Sequence, residues 1–108
     1  MPVQEITSEK QFNSIISQTP LVVIDFYAEW CGPCKQIAPN FNALSNQKEC
    51  ESVKFFKLNI DTVPEIAQLC KVKSIPTFIS FKNGKGYNTI NGANMDNIVN
   101  MVKHLLAK

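Results

Sequence analysis

The sequence contains no arginine, and its 11 basic residues are lysines scattered along the chain without a run. With 9 acidic residues the net charge is only +2, which argues against the concentrated positive charge of a nucleic-acid groove. The longest unbroken apolar run, residues 21–24, is far shorter than the roughly 20 residues needed to cross a bilayer. We therefore expect neither a nucleic-acid partner nor insertion into a membrane.

Signals for secretion are also missing. Residues 1–7 lack the basic, apolar and small-residue regions of a signal peptide, and no Asn-x-Ser/Thr glycosylation acceptor occurs. We expect a cytoplasmic protein, with a nuclear or organellar location left open. The chain has no internal repeat or linker, and a chain of 108 residues buries roughly two thirds of its surface on folding. One domain spanning residues 1–108 is the expected organisation.

Cysteine is present in only 4 copies, too few for a fold held together by disulfides. Cys31 and Cys34 form a C-x-x-C motif, which in a reducing compartment indicates redox or metal chemistry. A zinc site would need further ligands, but Cys50 and Cys70 are far apart in sequence and the one histidine is His104. The redox interpretation is therefore favoured over half of a zinc site, and we expect no bound metal.

Strand and helix patterns alternate along the chain. Ser8 with Gln11, and Thr62 with Glu65, have the spacing of a capping box that starts a helix. Two further helices are predicted to begin near Pro33 and at Asn94, and strands are predicted at Leu21–Tyr27, residues 53–59, Thr77–Lys82 and residues 86–91.

The last two predicted strands are joined by Asn83-Gly84, a strong signal for a two-residue hairpin. With a further strand before the first helix, the order is β-α-β-α-β-α-β-β-α, which predicts a three-layer α/β domain in which helices cover both faces of a mixed sheet. Leu21–Tyr27 is an almost unbroken apolar run, as expected of a central strand. Ligand sites of such sheets lie beyond the carboxyl ends of the strands, so the C-x-x-C motif that follows this run lies where a functional site is expected.

Cys31 is predicted to be the nucleophile of the pair. The N-terminus of the following helix carries partial positive charge and unpaired N–H groups, which favour the thiolate of Cys31 over its thiol. Pro33 fits the first helical turn, where its missing N–H costs nothing. Cys34 lies one turn further in, close enough for a disulfide and less exposed. Cys31 would attack a substrate disulfide, and Cys34 would then resolve the mixed disulfide.

Asp25 interrupts the apolar run at a position where both faces of the strand are covered. Because burial of an unpaired carboxylate is unfavourable, we expect a raised pKa for Asp25. Asp25 could exchange a proton with Cys34, or it could be a structural carboxylate with a partner, and the strand context alone favours neither. Lys57 on the neighbouring predicted strand is a candidate partner, although an exposed lysine is the more ordinary interpretation.

Several motifs together resemble the thioredoxin family: residues 25–35 (DFYAEWCGPCK), Pro39, residues 57–61 (KLNID), residues 75–78 (IPTF), residues 81–85 (FKNGK) and Gly92-Ala93. They cover nearly the whole chain, and the Gly-Pro pair between the cysteines differs from the Gly-His typical of protein disulfide isomerases. The resemblance implies a thioredoxin fold, three-layer α/β/α with a central mixed sheet of about five strands flanked by four helices. It also implies that Cys31 is the exposed nucleophile, Cys34 the resolving cysteine, and Asp25 the buried proton-transfer acid paired near Lys57.

The resemblance further implies a binding surface around Cys31. The Ile75-Pro76 peptide bond would be cis, and Pro76 would face the disulfide and pair with the backbone of a substrate. The apolar docking surface would comprise Trp30, Gly32, Pro33, Ile75, Gly92 and Ala93, of which Trp30, Gly32 and Pro33 would also tune the cysteines. Ser74 stands where some animal thioredoxins have a cysteine, so we expect a monomer.

By the same resemblance, the protein would be a dithiol/disulfide oxidoreductase that reduces protein disulfides. An NADPH-dependent thioredoxin reductase would recharge it, and the chain itself would bind no cofactor. Its clients would be of the peroxiredoxin, methionine sulfoxide reductase and ribonucleotide reductase types. The alternatives are a thiol oxidase or disulfide isomerase, and a thioredoxin-like binding module without redox turnover. Gly32-Pro33 argues against the first, and the intact set of Cys31, Cys34 and Asp25 against the second.

Overall fold

The structure is a computed structural model that describes residues 3–107. Within these residues the chain forms β1 (Gln4–Ile6), α1 (Glu9–Gln18), β2 (Leu21–Tyr27), α2 (Gly32–Ser45), a 3-10 turn (Lys48–Cys50), β3 (Lys54–Asn59), α3 (Pro64–Leu69), β4 (Thr77–Lys82), β5 (Lys85–Asn91) and α4 (Met95–Leu106). The predicted domain also includes Met1, Pro2 and Lys108, which lie outside the described residues.

The strands form one mixed sheet in the order β1-β3-β2-β4-β5. Strands β1 and β2 both run parallel to β3, whereas β4 is antiparallel to β2 and to β5. Strand β2 occupies the centre, and its residues 22–26 are all buried, which explains its nearly continuous apolar sequence. The sequence-based prediction of a central strand at Leu21–Tyr27 is confirmed.

Side chains alternate between the two faces of the sheet, and two helices cover each face. Val23, Phe55 and Phe78 pack with buried residues of α2 and α4. Ile24 and Phe56 point to the opposite face and pack with residues of α1 and α3. The predicted fold class, a three-layer α/β/α arrangement around a five-stranded mixed sheet, is therefore confirmed.

Two helices begin at the predicted capping residues. The Ser8 side chain accepts a hydrogen bond from the N–H of Gln11 at 3.1 Å, and the Asn94 side chain accepts one from Asn97 at 3.1 Å. The side chain of Gln11 accepts a hydrogen bond from the N–H of Thr7 at 2.8 Å, rather than from that of Ser8 as in a standard capping box. Both caps satisfy N–H groups that have no partner inside their helix.

The predicted capping box of α3 is wrong. The residue that precedes the helix is Val63, and the Thr62 hydroxyl donates a hydrogen bond to the carbonyl oxygen of Asn59 at 3.2 Å instead. Pro64 explains the difference, because its ring disfavours a helical conformation at the preceding residue and its missing N–H suits the first helical turn. The helix therefore begins at Pro64.

The hairpin between β4 and β5 turns at Asn83-Gly84, as predicted. Both residues have positive φ, 54° and 86°, which is the requirement of the tight turn that matches the twist of two antiparallel strands. Lys82 pairs directly with Lys85, so β5 begins one residue earlier than predicted. Strand β3 begins at Lys54, one residue later than predicted.

Candidate active site

Cys31 and Cys34 lie at the N-terminus of α2, immediately beyond the carboxyl end of β2. Cys31 is the capping residue, its Sγ accepts a hydrogen bond from the N–H of Cys34 at 3.2 Å, and Pro33 lies in the first turn. The two cysteines form a disulfide across a Cα–Cα distance of 5.3 Å. The local sequence produces this geometry because a C-x-x-C pair spans one helical turn and the proline fits where no N–H is needed.

The exposure expected for Cys31 is wrong for the disulfide form. Cys31 is 5% exposed and Cys34 is 3% exposed, so the two cysteines barely differ. The disulfide ties the outer sulfur to the inner one, and Ala28 and Ile75 pack against the pair. In the disulfide form both sulfurs are therefore largely covered by neighbouring apolar side chains.

The surface beside Cys31 includes one large exposed side chain. Trp30 is 70% exposed, and its indole N–H donates a hydrogen bond to Asp61 Oδ2 at 3.0 Å. Gly32 and Pro33, which lie between the two cysteines in the chain, are also exposed. Sequence reasoning assigned no role to Asp61; the segment KLNID that contains it was the only available signal. Asp61 fixes the orientation of the indole beside the cysteines.

A second segment approaches the disulfide from the start of β4. The Ile75-Pro76 peptide bond is cis, Pro76 is buried, and Ile75 packs against the cysteine pair. The Pro76 carbonyl accepts a hydrogen bond from the N–H of Gly92 at 2.8 Å, which ties the loop of Gly92 and the exposed Ala93 to this segment. Gly92 has φ +103°, a conformation that side chains rarely allow.

These segments border a groove of about 320 Å³ beside the disulfide, lined by Trp30, Ile60, Val72, Lys73, Ser74 and Ile75. Of the docking residues predicted from the sequence, Trp30 and Ile75 line this groove. The groove is open and mostly apolar. Such a surface suits an extended polypeptide better than a small polar metabolite.

Asp25 lies behind the cysteines and is 3% exposed. Its Oδ1 atom has no hydrogen-bond partner, and burial raises the pKa of Asp25 from 3.8 to about 7, with Lys57 lowering it and Glu5 raising it further. A small cavity of about 140 Å³ is lined by both Asp25 and Cys34. A carboxylate with a pKa near neutrality suits proton exchange with a thiol that shares its cavity.

Lys57 is beside Asp25 in the sheet but forms its ion pair elsewhere. The two residues are register partners on β2 and β3, yet Lys57 Nζ lies 3.8 Å from Glu5 Oε1. The expected direct pairing of Lys57 with Asp25 is not seen in residues 3–107, because Glu5 on β1 flanks Lys57 from the other side. Lys57 acts on Asp25 through its charge, which lowers the pKa of Asp25.

The other two cysteines have a different environment. Cys50 is buried in the packing between α2 and α4, and Cys70 is half-buried at the end of α3. Burial raises the pKa of both thiols, so both are poor nucleophiles compared with a cysteine at a helix N-terminus. They are packing residues in this structure.

Comparison with known proteins bears directly on this geometry. The Thioredoxin family model matches residues 3–104. The chain belongs to the thioredoxin family. With its paired cysteines at the N-terminus of α2, this family member is a disulfide oxidoreductase with protein-disulfide reductase activity.

Individual relatives agree with this assignment. The chain is 46% identical over 92 residues to thioredoxin 1 of Plasmodium falciparum, covering 85% of this chain and 86% of that one. The crystal structure of a Malassezia sympodialis thioredoxin superposes with a TM-score of 0.92 at 38% identity, covering 99% and 96% of the two chains. A structure concerned with thiol resolution of a yeast mitochondrial 1-Cys peroxiredoxin by the glutathione and thioredoxin systems superposes with a TM-score of 0.88 at 35% identity, covering 94% of each chain.

No helix within residues 3–107 of this thioredoxin-family chain is long and apolar enough to cross a membrane.

Proposed function

We propose that this chain reduces disulfides of client proteins by a two-step exchange in which Cys31 attacks, Cys34 resolves and Asp25 carries the proton. The observation that carries the proposal is the position of the cysteine pair, with a helix N-terminus at Cys31 and a buried carboxylate behind Cys34. The helix N-terminus favours the thiolate form of Cys31, and the buried carboxylate accepts the proton of Cys34.

In the first step the Cys31 thiolate attacks one sulfur of a client disulfide. A bond forms between Cys31 Sγ and that sulfur, the client S–S bond breaks, and the departing client thiolate takes a proton from solvent. The partial positive charge at the N-terminus of α2 favours the thiolate of reduced Cys31. Its capping position makes the N–H of Cys34 a hydrogen-bond donor to the sulfur.

In the second step Cys34 attacks Cys31 Sγ, and the bond between Cys31 Sγ and the client sulfur breaks. The client sulfur leaves as a thiolate and takes a proton from solvent, so the client is released as a dithiol. Cys34 must lose its proton to become a nucleophile, and Asp25 in its carboxylate form accepts it through the cavity that both residues line. Two electrons pass to the client, and the chain ends as the Cys31–Cys34 disulfide. A base with a pKa of about 7 is matched to this transfer at neutral pH.

The docking surface holds the client during both steps. The exposed Trp30 indole, Gly32, Pro33, Ile75, Gly92 and Ala93 supply its contact area. The backbone of the Pro76 segment pairs with an extended client strand, because the main chain can supply hydrogen bonds to any sequence while the apolar groove accepts varied side chains. Because these contacts do not require particular client side chains, the proposed range of clients is broad.

An NADPH-dependent thioredoxin reductase recharges the chain in this proposal, so the chain carries electrons without binding a cofactor of its own. The proposed compartment is the cytoplasm. Peroxiredoxins, methionine sulfoxide reductases and ribonucleotide reductases are the proposed client types. The peroxiredoxin class is supported by the yeast relative, whose structure belongs to a study of thiol resolution in a peroxiredoxin.

Trapping variants test the assignment of the two cysteines. Cys31→Ser removes the attacking sulfur and abolishes reduction of a model protein disulfide such as insulin. Cys34→Ser keeps the first step but removes the second, so clients accumulate as mixed disulfides on Cys31 that dithiothreitol releases. Gel electrophoresis without reductant, followed by mass spectrometry, measures the adducts.

The double variant Cys31→Ser/Cys34→Ser is the control for binding without exchange. It retains the docking surface but captures no client covalently. A Cys31→Ser protein with full turnover would contradict the mechanism, and so would a double variant that still retains every client of the single trap.

A further inference from the structure

A group of charged side chains lies beneath the first half of α2, on the same face of the sheet as Asp25. Lys57 on β3 is the register partner of Glu5 on β1 and also of Asp25 on β2. Tyr27 follows Asp25 by two positions and so points to the same face. The single lysine therefore has a carboxylate on each side.

Lys57 is associated with Glu5 and Tyr27. Its Nζ atom lies 3.8 Å from Glu5 Oε1 and 5.5 Å from the centre of the Tyr27 ring. The electron-rich face of an aromatic ring attracts a cation, so both contacts favour the same lysine position. Meanwhile Oδ1 of Asp25 is buried without a hydrogen-bond partner.

Glu5 is itself fixed in place. The Tyr27 hydroxyl lies 2.9 Å from Glu5 Oε1 and 2.7 Å from Oε2, and it donates its hydrogen bond to this carboxylate. Hydrogen bonds to an ionised acceptor are among the stronger ones in proteins. Only a third of the Glu5 side chain is exposed, so solvent screens its charge less than that of a free surface carboxylate.

We propose that Glu5 and Tyr27 are positioning residues that hold the Lys57 ammonium away from Asp25, so that the carboxylate next to Cys34 has no direct cationic partner. The proposal deepens the proposed function, since it rests on Asp25 as the proton acceptor of the resolving step. Under this proposal β1 influences the chemistry of the site through Glu5, although β1 does not contact the cysteines.

The charge effects on Asp25 agree with this geometry. The Lys57 charge lowers the pKa of Asp25, and the Glu5 charge raises it. Removal of Glu5 would lower the pKa of Asp25 in two ways, because one negative charge disappears and Lys57 becomes free to approach Asp25. The other titratable or charged residues that line the cavity beside Asp25 are Tyr27, Glu29, Cys34 and Lys35.

The test is an NMR titration of the Asp25 side-chain carboxyl carbon in the oxidised protein, where Cys34 cannot titrate. In Glu5→Gln the pKa of Asp25 is expected to fall by about one unit or more. Tyr27→Phe keeps both the ring and the Glu5 charge, so a smaller fall is expected. Glu65→Gln is the matched control, because Glu65 lies on α3 at the opposite face of the sheet and its replacement should leave the pKa unchanged.

A Lys57→Met background separates the lysine position from the direct effect of the Glu5 charge. If Glu5 acts by holding Lys57, then Glu5→Gln lowers the pKa of Asp25 less in this background than in the parent protein. Equal shifts in the two backgrounds would overturn the proposal. An unchanged or raised pKa in Glu5→Gln alone would overturn it as well. Dispersed amide spectra establish that each variant is folded.

The pH profile of client reduction distinguishes this proposal from the proposed function. In Glu5→Gln, the acidic limb of the profile should shift to lower pH by the same amount as the pKa of Asp25. If the pKa falls as expected and the profile stays in place, the arrangement of Glu5, Tyr27 and Lys57 is supported and the proton-transfer role of Asp25 is rejected.

Discussion

Asp25 is buried in the most apolar strand of the protein, and its environment links chemistry to stability. The pKa of Asp25 is raised from 3.8 to about 7, mainly by burial. Between these pH values the folded protein retains a proton that the unfolded chain has released. Its stability therefore decreases as pH rises from about 4 to about 7, and stays at the lower level above that.

Asp25→Asn should remove this pH dependence. The shift of about three pKa units corresponds to about 4 kcal/mol, so at pH 8 the variant should be more stable than the parent by up to that amount. At pH 4 both side chains are neutral, and the two proteins should have similar free energies of unfolding. Urea unfolding of the oxidised proteins at several pH values measures the difference. A difference that is the same at pH 4 and pH 8 would contradict the account.

At the residue scale, the sequence predicted which side chains carry the chemistry better than it predicted their contacts. The C-x-x-C spacing indicated the cysteine pair, and the apolar neighbours of Asp25 indicated its burial. The role of Glu5 could not be predicted, because β1 has only three residues and too short a pattern to reveal its register. The low exposure of Cys31 depends on the disulfide and on Ile75, which comes from a distant part of the chain.

The helices show where local sequence signals suffice and where they compete. Ser8 and Asn94 start α1 and α4 as predicted, because each is followed by a helical pattern and no stronger signal intervenes. At α3 the threonine signal at Thr62 competes with Pro64, and the proline decides where the helix begins. The prediction failed there because the capping spacing was considered without the restriction that proline places on its neighbour.

The Asn94 cap can be tested against an asparagine in the same helix. Asn94→Ala removes the acceptor for the N–H of Asn97 and should lower the free energy of unfolding by about 1 kcal/mol. Asn100→Ala changes the same residue type at an exposed position inside α4 and should be neutral or slightly stabilising, since alanine favours the helix. Equal losses in the two variants, measured by urea unfolding, would show that the cap contributes nothing specific.

Across the whole molecule, α2 joins the site to the core. Its first turn carries the cysteine pair, and Phe41 further along packs against Phe55 and Phe78 with ring centres 5.5 and 5.2 Å apart. The α/β class followed from the order of elements in the sequence. The strand order β1-β3-β2-β4-β5 did not, because the neighbours of a parallel strand are set by long-range packing rather than by local pattern.

The most direct test of the central claim, that this chain is a disulfide reductase, is an equilibrium redox titration of the Cys31/Cys34 couple. Fluorescence of Trp30, the only tryptophan, reports the transition, and mass after thiol alkylation confirms which cysteines react. A reversible two-electron transition near −270 mV, about the value known for thioredoxin, is the predicted result. A potential of about −180 mV, as in protein disulfide isomerase, would contradict the account. The lack of any reversible couple would contradict it as well.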